Sequence, residues 1–312
     1  MNLNVEKLTI AFSEVSVVRD VSFSLKQGES LAIVGESGCG KTITAQALLQ
    51  LLPSSAQIKQ GRILLNDVDL LQLPEKEMRD IRGKEIGMIF QDPMSALNPS
   101  MKIGLQIAET MIYHRLLNRS DALKRSEELL RLVGIPEPAL RISSYPHQLS
   151  GGMRQRAALA IALASNPSLL IADEPTTALD TQTQAKILDL LATFRRNLKM
   201  SLILITHNLQ IVEDICEKII VMYAGAIVEQ GAVKEVFTNP KHPYTQMLLR
   251  SIPRLDAKQG VPLPVIEGAP PNLTHLPPGC PFAERCPHAM KICRERTPPL
   301  LSRTSCWLHY DS

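Results

Sequence analysis

Apolar positions along the chain change period several times, and each change predicts a different element. In VSFSL (21–25) Val21, Phe23 and Leu25 alternate with serines, the period of a half-buried strand. SLAIVG (30–35) is instead a continuous apolar run, which predicts a strand covered on both faces. A helical stretch, TITAQALLQLL, follows at once. Two further apolar runs, SLLIAD (168–173) and SLILIT (201–206), also come before helical patterns. Between them, AKILDLLATFRR places Ile187, Leu188, Leu190 and Leu191 on one helical stripe. This alternation predicts an α/β fold, a mostly parallel sheet with helices on its faces.

Two regions read differently. Residues 93–166 carry helical segments such as KIGLQIAETMIYHRLL and SDALKRSEELLRLVG and no convincing strand, so we expect a helical subdomain there. From Pro240 onward periodicity fades, and thirteen of the chain's 22 prolines lie there. Residues 241–312 are therefore expected to form an unfolded tail or a small irregular domain that needs a cross-link. The remainder, 1–240, is the main domain.

Composition narrows the class without naming a function. With 45% hydrophobic and 21% charged residues the chain is of ordinary globular composition. A net charge of +3 and an aromatic fraction of 4% argue against a nucleic-acid partner. No apolar run approaches the ~20 residues that cross a bilayer, so any membrane role is expected to come through a partner. MNLNVEKLTIAF lacks the features of a secretory signal, and a reducing compartment is expected.

The chemistry starts at GESGCGKT (35–42), which fits G-x-x-x-x-G-K-[ST] between a strand and a helix. Gly35, Gly38 and Gly40 let backbone N–H groups turn toward a phosphate chain, with Ser37, Cys39 and Ile43 beside them. Lys41 supplies charge for the β- and γ-phosphates, and Thr42 offers a hydroxyl to Mg²⁺. LLIADEP ends a buried strand with Asp173, a second Mg²⁺ ligand, and Glu174, a candidate general base for the attacking water. Cys39 reads either as a tolerated variable position or, near Lys41 and a helix N-terminus, as a thiol with a lowered pKa. Cys216, in IVEDICEKIIVM, reads as a buried small side chain.

HQLSGGMRQRAALAIA (147–162) resembles the signature motif of ABC-type ATPases, here Leu149, Ser150, Gly151, Gly152 and Met153. Gln91 after IGMIF, the Ala178-Leu179-Asp180 turn, His207 after SLILIT, and Phe12 fall in the same family's order. The resemblance implies a P-loop ABC ATPase with a RecA-like mostly parallel sheet, an antiparallel β portion and a helical subdomain. It implies that ATP and Mg²⁺ bind, that Phe12 stacks on adenine, and that Gln91 senses the nucleotide and ligates the metal. His207 would contact the γ-phosphate and position water with Glu174. The signature residues would face the nucleotide of the other subunit in a head-to-tail dimer, with Asp180 at the dimer turn.

FQDPMSALNP (90–99), YPHQLSGGM (145–153), ADEPTTALD (172–180) and NPKHPYTQMLLRSIP (239–253) are similar to the dipeptide, oligopeptide and nickel import branch. That resemblance implies a heterodimer with a second ABC ATPase, two membrane permease subunits and an extracytoplasmic substrate-binding protein. The location would be the cytoplasmic face of the plasma membrane, with peptides or nickel as cargo. A soluble ABC ATPase acting on nucleic acid, or a nucleotide reader without turnover, are the competing functions. The extension carries Cys280, Cys286, Cys293 and Cys306, spaced C-x₅-C-x₆-C-x₁₂-C. A reducing compartment counts against disulfides, and zinc ribbons usually show closer pairs. An iron–sulfur cluster tolerates varied spacing, and zinc or free thiols stay open. Members of the branch carry a [4Fe–4S] cluster on such cysteines, so the resemblance implies one here.

Overall fold

The computed structural model describes residues 1–92, 96–176, 180–252 and 265–310. Its strands are β1 (Asn2–Phe12), β2 (Val15–Lys26), β3 (Ser30–Val34), β4 (Ala56–Leu65), β5 (Val68–Asp69), β6 (Ile86–Ile89), β7 (Leu169–Asp173), β8 (Ser201–Ile205), β9 (Lys218–Tyr223) and β10 (Ala226–Ala232). The helices through the middle of the chain are α1 (Lys41–Leu48), α2 (Glu75–Ile81), α3 (Ile103–Tyr113), α4 (Arg119–Leu132), α5 (Pro138–Arg141) and α6 (Gly151–Leu163). They are followed by α7 (Thr181–Leu198), α8 (Gln210–Ile215), α9 (Val233–Thr238), α10 (Pro243–Arg250) and α11 (Lys291–Glu295). The chain divides into two compact units, Met1–Asn2, Leu25–Glu29 and Leu65–Ile205 in one, Leu3–Ser24, Ser30–Leu64 and Thr206–Ser312 in the other.

In the first unit β6, β7 and β8 are parallel, with Ile86 opposite Leu169 and Leu169 opposite Ser201. Every residue of β7 and β8 is buried, as continuous apolar runs require when helices cover both faces. Between β6 and β7 the described residues form helices and no strand. Helix α3 packs on α4 and α6, burying Ile103, Ile107 and Met111 with Leu129, Leu130, Leu159 and Leu163. Each such buried side chain contributes about 1.5–3 kcal/mol relative to exposure.

In the second unit β1 lies between β2 and β4. Leu3 and Val5, then Leu8 and Ile10, are buried, and the one-residue shift falls at Lys7, whose φ is 48°. An extra residue in left-handed conformation resets which face points inward. Strand β3 runs parallel to β9, Ala32 facing Ile219, and β9 is antiparallel to β10. The prolines after β10 do not leave an unfolded tail, because the extension lies along that strand. The Ser305 N–H donates to the Val228 carbonyl at 2.8 Å, and the Gln230 N–H to the Arg303 carbonyl at 2.8 Å. An otherwise open sheet edge is thereby covered.

The turn NPKHPYTQ is built around a buried acid. Glu229, 2% exposed, accepts the Lys241 N–H at 2.7 Å and the His242 N–H at 2.9 Å. His242 Nδ1 in turn accepts the Tyr244 N–H at 3.1 Å, capping α10, while Pro243 fills its first position. Burial lowers the His242 pKa to about 3, so the ring stays neutral and Nδ1 remains an acceptor.

Candidate functional site

In the second unit, the loop between β3 and α1 takes its shape from glycines. Gly35 has φ 150° and lies where a Cβ would run into the Met222 carbonyl. Gly40 has φ 95°, and a Cβ there would come 2.6 Å from the Val17 carbonyl oxygen. Only glycine is accommodated at either place without moving backbone. Ser37 and Gly38 are exposed at the loop's crest, and Thr42 and Ile43 are half-buried on the first turn of α1. Lys41 is 6% exposed, with Nζ donating to the carbonyls of Gly35 and Glu36, each at 2.9 Å. The lysine is thus folded back over the loop.

Cys39 departs from expectation. It is 4% exposed, and burial raises its pKa even though Lys41 Nζ lies 3.8 Å from the sulfur. Desolvation of a thiolate outweighs one nearby ammonium that is itself engaged by two carbonyls. Cys216 is buried at 6% exposure, as its apolar surroundings predicted. His207 is exposed just beyond β8, where the Thr206 N–H donates to the Ile33 carbonyl at 3.3 Å. Phe12 ends β1 half-buried.

In the first unit the strand ends bring three sequence-predicted residues together. Asp173 closes β7 and is 1% exposed. Glu174 follows in the left-handed region, φ 46°, with its N–H donating to the Ile205 carbonyl at 2.9 Å. Such a conformation costs of order 1 kcal/mol for a residue with a Cβ and tends to occur where side-chain direction matters. Gln91, beyond β6, donates from Nε2 to Glu174 Oε2 at 3.1 Å. The next residue, Pro175, is also held, for its carbonyl accepts Gln155 Nε2 at 2.7 Å. Gln155 lies on α6 and was not singled out from the sequence.

Helix α6 begins at the LSGGM stretch. Leu149 is buried, and Ser150 is the N-cap, its Oγ accepting the Met153 N–H at 3.4 Å. Ser150 and Gly151 are exposed and Gly152 is half-buried, leaving N–H groups of the first turn available to an anion. A Cβ on Gly152 would come 3.2 Å from Thr183 Cγ2 of α7. Asp180 caps α7, accepting the Thr183 N–H at 2.9 Å, and hydrogen bonding from the Thr183 side chain, then from its N–H, holds the carboxyl below the usual range. Ala178 and Leu179 lie outside the described residues.

Cys280, Cys286, Cys293 and Cys306 are free thiols, and all four line one tight pocket of only about 10 Å³ together with His242, Phe282 and Trp307. Cys293 and Cys306 are each 8% exposed. Burial, with the other three sulfurs nearby, pushes Cys280 up to about 11. Among the described residues no group of three or more His, Cys, Asp or Glu is placed to hold a metal ion. Phe282, Tyr223 and Tyr244 form an aromatic cluster beside the phosphate loop, with ring centroids 4.6–5.4 Å apart. The Tyr244 hydroxyl accepts the Glu36 N–H at 3.0 Å. None of these three rings was assigned a role from the sequence, because nothing local signals that they converge.

A glycine loop between strand and helix, carboxylates at parallel strand ends and a capped LSGGM helix define the ATP-binding cassettes. Residues 18–177 match the ABC transporter family model, and residues 228–293 match the oligopeptide/dipeptide transporter C-terminal region. The chain belongs to the ABC transporter family of ATP-binding proteins. It is 51% identical over 303 residues to the oligopeptide transport ATP-binding protein OppD of Bacillus subtilis, covering 96% of this chain and 85% of that protein. It is 49% identical to the dipeptide transport ATP-binding protein DppD of the same organism, covering 98% and 94%. Among solved structures, a dimeric post-hydrolysis state of the ATP-binding cassette MJ0796 bound to ADP and Pi aligns with TM-score 0.67 and 26% identity. That alignment covers 74% of this chain and 98% of the other.

Proposed function

We propose that this chain is the ATP-hydrolysing subunit of a peptide importer, held at the cytoplasmic face of the membrane by two permease subunits. It would work with a second, similar ATPase and an extracytoplasmic binding protein. The supporting observation is the match of nearly the whole chain to peptide transport ATP-binding proteins, 96% and 98% of its length in two cases. No described helix is long and apolar enough to cross a membrane, which fits a subunit that docks on membrane partners.

The phosphate chain of ATP is read as lying on the backbone of Gly35–Thr42, with Lys41 turning from the Gly35 and Glu36 carbonyls toward it. Phe12 would stack on the adenine. Thr42, Gln91 and Asp173 would each offer an oxygen to Mg²⁺, which when bound offsets the charge of the phosphates. Glu174 is read as the general base, oriented by the Gln91 bond, with His207 at the γ-phosphate. Leu149–Met153 would cover the nucleotide of the partner ATPase and Asp180 would sit at the dimer turn. The segment 93–166 would meet the permeases, with 1–240 as the nucleotide-binding domain and 241–312 as the extension. The four cysteines, which line one pocket, are read from the family resemblance as holding a [4Fe–4S] cluster, with zinc as the alternative.

The test is peptide uptake by vesicles carrying the complete transporter, with Glu174→Gln in this chain. We expect ATP to remain bound and turnover at this site to fall roughly 10²-fold or more. Normal turnover by the variant would remove Glu174 as the base. ATP hydrolysis that no peptide stimulates would remove the peptide assignment.

A further inference from the structure

The cysteine-bearing extension reaches the phosphate loop through one ion pair. Arg285, in the stretch GCPFAERCP between Cys280 and Cys286, clamps the Glu36 carboxylate two-fold, Nη1 to Oε2 at 2.8 Å and Nη2 to Oε1 at 3.0 Å. Its side chain is only 6% exposed. The remaining donors are also engaged: Nε with the Glu267 carbonyl at 2.9 Å, Nη2 with the Ile266 carbonyl at 3.2 Å, and Nη1 with the Tyr223 hydroxyl at 3.2 Å. The guanidinium also lies over the Tyr223 ring, 5.9 Å from its centroid. A planar fork with every donor satisfied has one orientation, and a lysine cannot reproduce it.

Glu36 is the second residue of the phosphate loop. Its N–H is held by the Tyr244 hydroxyl and its carbonyl by Lys41 Nζ. A carboxylate there has the same sign as a polyphosphate, and pairing with Arg285 cancels that charge while turning it toward the extension. When Lys41 leaves the Glu36 carbonyl for a phosphate, the Tyr244 and Arg285 contacts remain to hold Glu36, along with a long bond from the Cys39 N–H to its carbonyl at 3.4 Å. Where Arg285 stands is set by the cysteine loop. The Cys280 N–H donates to the Cys293 carbonyl at 2.7 Å, and the Arg285 N–H to the Phe282 carbonyl at 3.0 Å.

We propose that Arg285 is a positioning residue of the phosphate loop, neutralising Glu36 and making nucleotide affinity depend on an intact four-cysteine pocket. The inference rests on reading residues 35–42 as the ATP site. It does not depend on which metal or cluster the cysteines hold.

The experiment uses the full chain, purified without oxygen, and titrates a ribose-labelled fluorescent ATP in parallel with KM and kcat for ATP. Arg285→Ala should weaken binding about tenfold, seen in KM far more than in kcat. Arg285→Lys, which keeps the charge and loses the fork, should weaken it about threefold. Adding Glu36→Gln to Arg285→Ala should restore affinity to within about threefold of the original, because the uncompensated charge is gone. Cys286→Ser should weaken binding about as much as Arg285→Ala and add little to it in the double variant. Circular dichroism melting reports whether each variant is folded. Unchanged affinity in both Arg285 variants, no restoration by Glu36→Gln, or a Cys286→Ser chain that binds normally would each overturn the proposal. If the unsubstituted chain fails to bind the nucleotide, the reading of 35–42 falls instead.

Discussion

The Cys39 sulfur has 4% exposure, and burial raises its pKa despite Lys41 Nζ at 3.8 Å. Reactivity follows the thiolate fraction, so the sign is clear: at neutral pH the group is protonated, and labelling should accelerate as pH rises. With iodoacetamide near pH 7.5, Cys39 should label at least roughly tenfold more slowly than an exposed thiol of ordinary pKa, as followed by mass spectrometry. Nucleotide should change that rate little, since access is already closed. Rapid labelling blocked by ATP would show instead that Lys41 governs the thiol. The sequence places Cys39 beside a lysine and a helix start, and both features argue for acidity. It does not reveal that Lys41 is drawn to two carbonyls, nor that the loop closes over the sulfur, and those two facts reverse the outcome.

At the level of elements, much was legible because strands buried on both faces leave an unmistakable apolar run. SLAIVG, SLLIAD and SLILIT correspond to β3, β7 and β8, and the helix starts at Lys41 and Gly151 follow from glycine and serine chemistry. β9 was less visible, since α8 ends at Ile215 and β9 begins at Lys218 with no turn residue between their apolar positions. The clamp on the phosphate loop was not legible at all. Glu36 and Arg285 are 249 positions apart, and neither charge stands out in its own stretch. The start of α6 carries its own prediction, because Ser150 caps the helix through Oγ. Replacing it by alanine should cost about 1 kcal/mol of stability, whereas Ser150→Asp keeps the cap and should cost only a few tenths. If Ser150 also faces the partner's γ-phosphate, both variants should abolish transport-coupled turnover, the aspartate by repulsion. Urea unfolding and ATP hydrolysis in the assembled transporter separate the two effects. An aspartate variant with full turnover would leave Ser150 as a cap and nothing more.

For the molecule as a whole, the extension poses a question of what holds an irregular, proline-rich segment against β10. Its backbone bonds to Val228 and Gln230 are few, and its two largest fully buried side chains, Tyr244 and Phe282, pack with Tyr223 of the main domain. Four thiols around one pocket give little cohesion by themselves, and as thiolates they would repel one another. A group that binds all four as thiolates removes that repulsion and cross-links the loop from Cys280 to Cys306. On the proposed cluster reading, anaerobically purified protein should contain about four iron and four sulfide per chain, with a broad visible absorption. Substituting Cys293 by serine should lower the iron content and the melting temperature together. The extension, followed by limited proteolysis between residues 265 and 310, should become the first part to be cleaved. One zinc per chain without sulfide would replace the cluster with a single-ion staple. Unchanged melting on complete removal of metal would mean that the aromatic cluster and the β10 contacts suffice.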